Sequence, residues 1–162
     1  MSPRPDRTGK ATEDRLVQIV RGLGKKAHIY RIEDAADLHG LNKGQIVITT
    51  PKPSDTVVVI SGWMSYVECK ETEHRNGFPM KNIAQNQLNA ARLVTTAGGN
   101  YSFFVFSSVR AQTYLVPSTF LLDRRGVVPW EILEPYSWNG TTCPSSAVWT
   151  SRPLALRPTA PP

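Results

Sequence analysis

Asp55, Glu68 and Lys70 are the residues whose types and spacing point to chemistry. Asp55 stands just ahead of Val57-Val58-Val59-Ile60, and Glu68 and Lys70 lie two apart beyond a Ser61-Gly62 turn. Residues two apart on a strand project from one face, so Glu68 and Lys70 share a side while Val67 and Cys69 take the other. A hairpin through Gly62 returns the second strand along the first and sets Asp55 beside that face. Two carboxylates and an ammonium meeting at a sheet edge suit phosphodiester hydrolysis. That reaction needs the phosphate charge neutralised and a water made nucleophilic, and Mg²⁺ on oxygen ligands does both. Asp55 and Glu68 offer anionic oxygens and the backbone carbonyl of Cys69 offers another. Lys70 offers an ammonium that positions the water or steadies developing charge. The Cys69 thiol is expected to turn into the core.

Two helices are expected to add to this group. Residues 12 to 23 read as an amphipathic helix with Thr12 as N-cap, Gly24 near its stop and an apolar stripe of Leu16, Val17, Val20 and Leu23. Glu13 falls on the packing side and Asp14 on the polar side. A carboxylate on a packing face needs a partner, because an unpaired buried charge is costly. The second helix runs from Ile83 to Ala97, closed by Gly98-Gly99, and puts Gln87 in line with Ile83, Ala90 and Val94. Each of these features has a plainer reading alone: Glu68 with Lys70 as a structural ion pair, Gln87 as a half-exposed amide, Glu13 as a carboxylate favoured at a helix start. One site accounts for all of them.

The remaining elements position these groups. Strands are expected at Ala27–Ile32, Gln45–Thr50, Thr56–Ser61, Met64–Lys70, Tyr101–Ser107 and Thr113–Val116, with a short helix over Pro117–Leu122. The four consecutive β-branched residues suggest a strand covered on both faces. Residues 33–44 and 71–82 read as polar connections. The order of helices and strands gives an α/β chain with a mixed central β-sheet flanked by helices. Residues 1–10 read as a flexible basic arm and 136–162 as a Pro/Ser/Thr-rich C-terminal extension. Trp130, Trp138 and Trp149 are read as packing or dimer-contact residues rather than base-stacking platforms.

The chain has 162 residues, which suits one domain with a real core. At 40% hydrophobic and 20% charged, its composition excludes disorder throughout. The net charge of +6 makes a polyanion such as nucleic acid a sensible partner. Two cysteines, Cys69 and Cys143, build no disulfide framework or metal knuckle. With no apolar run of membrane-spanning length and no secretory pattern at Met1–Arg7, a cytoplasmic protein is expected. Lys52, His74, Arg75 and Lys81 flank the carboxylate strands and are candidates for phosphate contacts that position DNA without reading its sequence.

Pro53-Ser54-Asp55 followed by Glu68-Cys69-Lys70 resembles the PD-(D/E)XK (restriction-endonuclease-like) nuclease superfamily. Within it, Glu68-Cys69-Lys70-Glu71-Thr72 and Phe78-Pro79-Met80-Lys81-Asn82-Ile83, closed by Gln87, are similar to Holliday junction resolvases of the RecU type. Gly9-Lys10-Ala11-Thr12-Glu13 with Leu16 resembles the archaeal Hjc type. The resemblance covers roughly residues 9 to 122 and makes 11–135 the nuclease domain. It implies a homodimer, one active site per subunit, nicking opposite strands of a four-way DNA junction with Mg²⁺, or Mn²⁺ in its place. It also implies Glu13, Asp55 and Glu68 as acidic metal-site residues, Lys70 as the catalytic lysine, Gln87 as the motif glutamine, and Arg4, Arg7 and Lys10 as an arm on DNA. Ser54 interrupts the PD dipeptide, and the segment between Arg31 and Pro53 is shorter than the RecU stalk. A short hybrid of this kind suits a phage-encoded enzyme. The same metal site would also serve a duplex-cutting restriction or repair nuclease, or persist as a relic in a DNA-binding module.

Overall fold

The computed structural model describes residues 8–32 and 52–141. The strand expected at Gln45–Thr50, Arg4, Arg7, Trp149 and the tail lie outside the described residues.

The first helix, α1 (Thr8–Gly22), begins earlier than expected. Thr12, Leu16 and Val20 recur every four residues and are all buried. Thr12 is therefore a buried mid-helix residue rather than an N-cap, and its hydroxyl donates to Glu71 Oε2 at 3.0 Å. Lys10 lies in this helix, not in an arm. Gly24, at φ +69, ends it.

β1 (Ala27–Arg31), β2 (Thr56–Ile60) and β3 (Trp63–Thr72) follow. Ser61 (φ 48) and Gly62 (φ 86) make the tight β2–β3 turn, which needs two left-handed residues in succession. β3 runs two residues past Lys70, and the segment after it is not a polar loop. Gly77–Pro79 forms a short strand, β4, with Phe78 fully buried. β4 pairs with β7 (Val127–Pro129) so closely that a Cβ on Gly77 would sit 2.1 Å from the Val128 carbonyl oxygen. The next helix, α2, spans Gln85–Thr96, because Ile83 and Ala84 are still extended. β5 (Tyr101–Ser107), β6 (Gln112–Pro117), α3 (Ser118–Leu121) and, after β7, α4 (Trp130–Leu133) follow.

The main sheet has the order β1-β2-β3-β5-β6 and is antiparallel except for the parallel pair β3–β5. Residues Tyr101 to Val105 of β5 are all buried, as a central strand covered on both faces requires. One face carries α1 over Val58, Ile60, Val67, Cys69, Phe104 and Leu115, with Trp138 closing that core. The other carries α2, α3 and α4 over Phe103, Val105, Tyr114 and Val116, with Phe78 and Trp130 among them. Trp138 places the end of the packed chain beyond residue 135. Trp130 and Trp138 are core residues.

Among the described residues, helices cover β2 on one face only, whereas its β-branched run suggested cover on both. Thr56, Val58 and Ile60 are buried under α1, whereas Val57 and Val59 are half-buried. They share the open side with Tyr30 and Met64, which are 62% and 53% exposed.

Candidate active site

Asp55 is fixed by its backbone before its carboxylate acts. Its carbonyl accepts the Ile32 N–H at 2.9 Å, extending the β1–β2 ladder by one residue. On either side of it, the buried Ser54 hydroxyl donates to the Thr56 carbonyl at 2.8 Å and Tyr101 OH donates to the Pro53 carbonyl at 2.8 Å. Thr56 Oγ1 donates across to the Val67 carbonyl at 3.2 Å. From this anchorage Asp55 Oδ2 accepts the backbone N–H of Cys69 at 2.8 Å, and Oδ1 faces Lys52 Nζ at 3.3 Å. The N–H and C=O of one strand residue point to the same side, so the Cys69 carbonyl projects to the edge where Asp55 lies.

Glu68 is one residue back on β3 and points to the α2 face, as strand alternation requires. It is 5% exposed. Its Oε1 accepts from Lys70 Nζ at 3.2 Å and from Gln87 Nε2 on α2. Gln87 is held in turn, because its Oε1 accepts the Ala84 N–H at 3.0 Å and so caps the helix. Burial and then the Asp55 charge push the Glu68 carboxyl up to about 7, with Lys70 opposing. The Cys69 thiol lies in the α1 core, where burial first, and then Asp55, Glu13 and Glu68, push it up.

Asp55, Glu68, Lys70 and Gln87 thus converge on one end of β3. Glu13 approaches from the α1 side: its charge acts on Cys69 but is not among those that shift Glu68. Its carboxylate lies 3.9 Å from Arg31 Nε, and Arg31 also bonds the exposed Asp14, lowering that carboxyl. His74 is built into a turn, its Nδ1 accepting the Asn76 N–H at 3.3 Å and its carbonyl accepting Trp130 Nε1 at 3.2 Å. Arg75 and Lys81 are exposed.

Arg31 and Tyr101 escaped the sequence reading. Arg31 ends β1 opposite Thr56, beside Asp55. Tyr101 opens an apolar strand and looks like a core aromatic, yet its hydroxyl holds the loop that carries Asp55. Burial, then Glu68 and Asp55, push that hydroxyl far up, which keeps it a neutral donor.

Asp55 and Glu68 meet at one end of β2 and β3, within a mixed five-stranded sheet that has helices on both faces, the architecture expected of a restriction-endonuclease-like fold. One solved structure that shares it is Hjc from Archaeoglobus fulgidus, a Holliday junction resolvase from an archaeal hyperthermophile; the two align over 81% of this chain and 95% of that one, with a TM-score of 0.55 and 12% identity. At that identity the likeness carries the fold. No protein-family model matches the chain, and no curated protein matches it in sequence.

Proposed function

We propose that this chain is a metal-dependent endonuclease that resolves four-way DNA junctions by paired phosphodiester hydrolysis. The observation that carries the reading is the convergence on Glu68: Lys70 and Gln87 bond one of its oxygens, and Asp55 stands beside it on the Cys69 amide.

The donor set fits Mg²⁺. Among the described residues no three His, Cys, Asp or Glu side chains cluster as metal ligands. Asp55 and Glu68, with the Cys69 carbonyl, would therefore leave most positions to water and phosphate oxygens, which is how Mg²⁺ prefers to be held. Two carboxylates forced together with one of them buried also favour a divalent cation between them. A bound Mg²⁺ supplies charge neutralisation on the phosphate and lowers the pKa of water; Mn²⁺ would serve in its place.

The chain's own groups do the rest. The Cys69 amide fixes one oxygen of Asp55, and Gln87 fixes the rotamer of Glu68. Lys70 holds its ammonium at the same oxygen of Glu68, within reach of an attacking water or a phosphate oxygen. Glu13 adds negative charge from the α1 side. Lys10, Lys52 and Arg75 are proposed to bind phosphates around the cut, with Arg4 and Arg7, and Lys81 to bind a phosphate farther along the DNA. His74 contributes chiefly to its own turn.

Paired cutting calls for two sites. The face of β1–β3 that no described helix covers, with exposed Tyr30 and Met64 beside half-buried Val57 and Val59, suits a second copy of this chain, since exposed apolar faces mark interaction surfaces. Among the described residues, no helix is long and apolar enough to cross a membrane.

The test is cleavage of a labelled four-way junction beside linear duplex and flap controls in Mg²⁺. Symmetric paired nicks on the junction alone support the reading. Equal cutting of plain duplex removes the junction specificity and leaves a nuclease; a wild type that binds without cutting makes the site a relic.

A further inference from the structure

A second group of cations converges away from the carboxylates. Lys81 follows β4, Arg92 lies on α2, and Arg124 and Arg125 lie on the turn before β7. Together with Gln85 and Asp123 they line one open cavity of about 500 Å³. Their elements are tied together: the Met80 N–H donates to the Gly126 carbonyl at 2.8 Å, and the Arg124 N–H to the Leu121 carbonyl at 2.9 Å. Arg124 lies over the Phe120 ring at 4.5 Å, and Arg92 Nη2 reaches the Leu122 carbonyl at 3.5 Å.

None of these four cations is in a salt bridge among the described residues, whereas Arg31, Lys52, Lys70 and Arg110 all are. Asp123 is the single carboxylate lining the cavity. Arginines held by a ring and a carbonyl keep their remaining N–H donors for a ligand, and guanidinium forks match phosphate oxygens. Gln85 and Arg92 line the cavity from α2, while Gln87 leaves the same helix toward Glu68. The cavity and the carboxylates therefore lie on different sides of α2.

We propose that this cavity is a second phosphate-binding site, which takes the sugar-phosphate backbone of DNA outside the strand being cut; this rests on the nuclease reading. It holds one arm of the substrate while the carboxylate site works on another. Phosphate contacts carry no sequence information, so the site adds affinity and orientation without base preference.

The test compares Arg92→Gln/Arg124→Gln/Arg125→Gln with a charge-matched control, Arg21→Gln/Lys25→Gln/Lys26→Gln, whose residues are exposed on α1 and the turn after it. Junction affinity without divalent metal is expected to fall about tenfold or more in the first variant. The slope of log affinity against log salt should flatten by roughly 0.9 for each phosphate that is no longer neutralised. Its cleavage rate at saturating junction stays at the wild-type level. Wild-type affinity and slope, or an equal loss in the control, overturns the proposal. If wild type neither binds nor cuts a junction, the nuclease reading fails separately. The cavity is then judged by NMR of the arginine Nε–H groups with inorganic pyrophosphate. Saturable shifts at Arg92, Arg124 and Arg125 uphold it, and shifts that are absent or equal at Arg21 overturn it.

Discussion

Gln87 ties the first turn of α2 to Glu68 on β3. Its Oε1 accepts the Ala84 N–H at 3.0 Å and its Nε2 donates to Glu68 Oε1. One amide thus caps a helix and orients a carboxylate, and two substitutions separate these jobs.

Gln87→Ala loses both bonds, so stability is expected to fall by about 1 kcal/mol, the usual value of a cap, and cleavage with it. Gln87→Glu keeps the acceptor for Ala84 and sets a like charge against Glu68. At pH 5, where the Glu68 carboxyl is neutral, its melting temperature should stay near wild type, while its pH–rate profile moves to higher pH and its rate drops further than that of Gln87→Ala. Thermal melts beside pH–rate profiles check this; equal profiles for both variants would contradict it.

The metal-free protein should lose stability as pH rises from about 4.5 to about 7. Burial and Asp55 raise Glu68 from 4.5 to about 7. Below this window the carboxyl is neutral in both states. Within it the unfolded chain releases its proton and the folded chain keeps it, so folding weakens until both are ionised. The whole effect is at most roughly 3 kcal/mol. Urea unfolding between pH 4 and 8 should show the fall in wild type and a flatter curve in Glu68→Gln. Adding Mg²⁺ should restore more stability at pH 8 than at pH 5, because protons compete for Glu68.

Tyr101→Phe removes the donor to the Pro53 carbonyl and nothing else. The expected cost is about 1 kcal/mol of stability. The cleavage rate at saturating DNA should fall while the KM for DNA stays constant, because Tyr101 steadies the loop that carries Asp55 rather than touching substrate. A raised KM with an unchanged rate would place Tyr101 in DNA binding instead.

Tyr30→Lys/Met64→Lys places two charges on the open sheet face. Sedimentation should show a dimer for wild type and a monomer for the variant. The variant should still bind Mg²⁺ and nick DNA, with the paired nicks uncoupled. A monomeric wild type would remove this face as the contact between copies.

Strand alternation makes the Glu68–Lys70 side legible, since period 2 leaves no freedom once β3 is recognised. The place of Asp55 follows from the short hairpin. The start of α1 is misleading at Thr12 because a threonine ahead of an apolar stripe resembles a cap, and its place on the packing face with Leu16 and Val20, bonded to Glu71 on β3, shows only in the fold. The 71–82 segment looks polar, yet Phe78, Pro79 and Met80 are buried because β7, some fifty residues later, covers them. Tyr101 and Arg31 act through partners distant in sequence, Pro53 and Glu13, and no local pattern marks such pairs. The cations at 92, 124 and 125 are spread over separate elements and become a group only in the fold.

The most direct measurement is single-turnover cleavage of a four-way junction labelled on each arm, in Mg²⁺ and in EDTA, by wild type, Asp55→Asn and Glu68→Gln. Symmetric paired nicks are expected from wild type in Mg²⁺ alone. The two variants should bind the junction yet cut it at least about 10²-fold more slowly, the scale on which preorganised electrostatic groups act. Cleavage by Glu68→Gln at the wild-type rate, or wild-type cleavage that persists in EDTA, would contradict the assignment of this site.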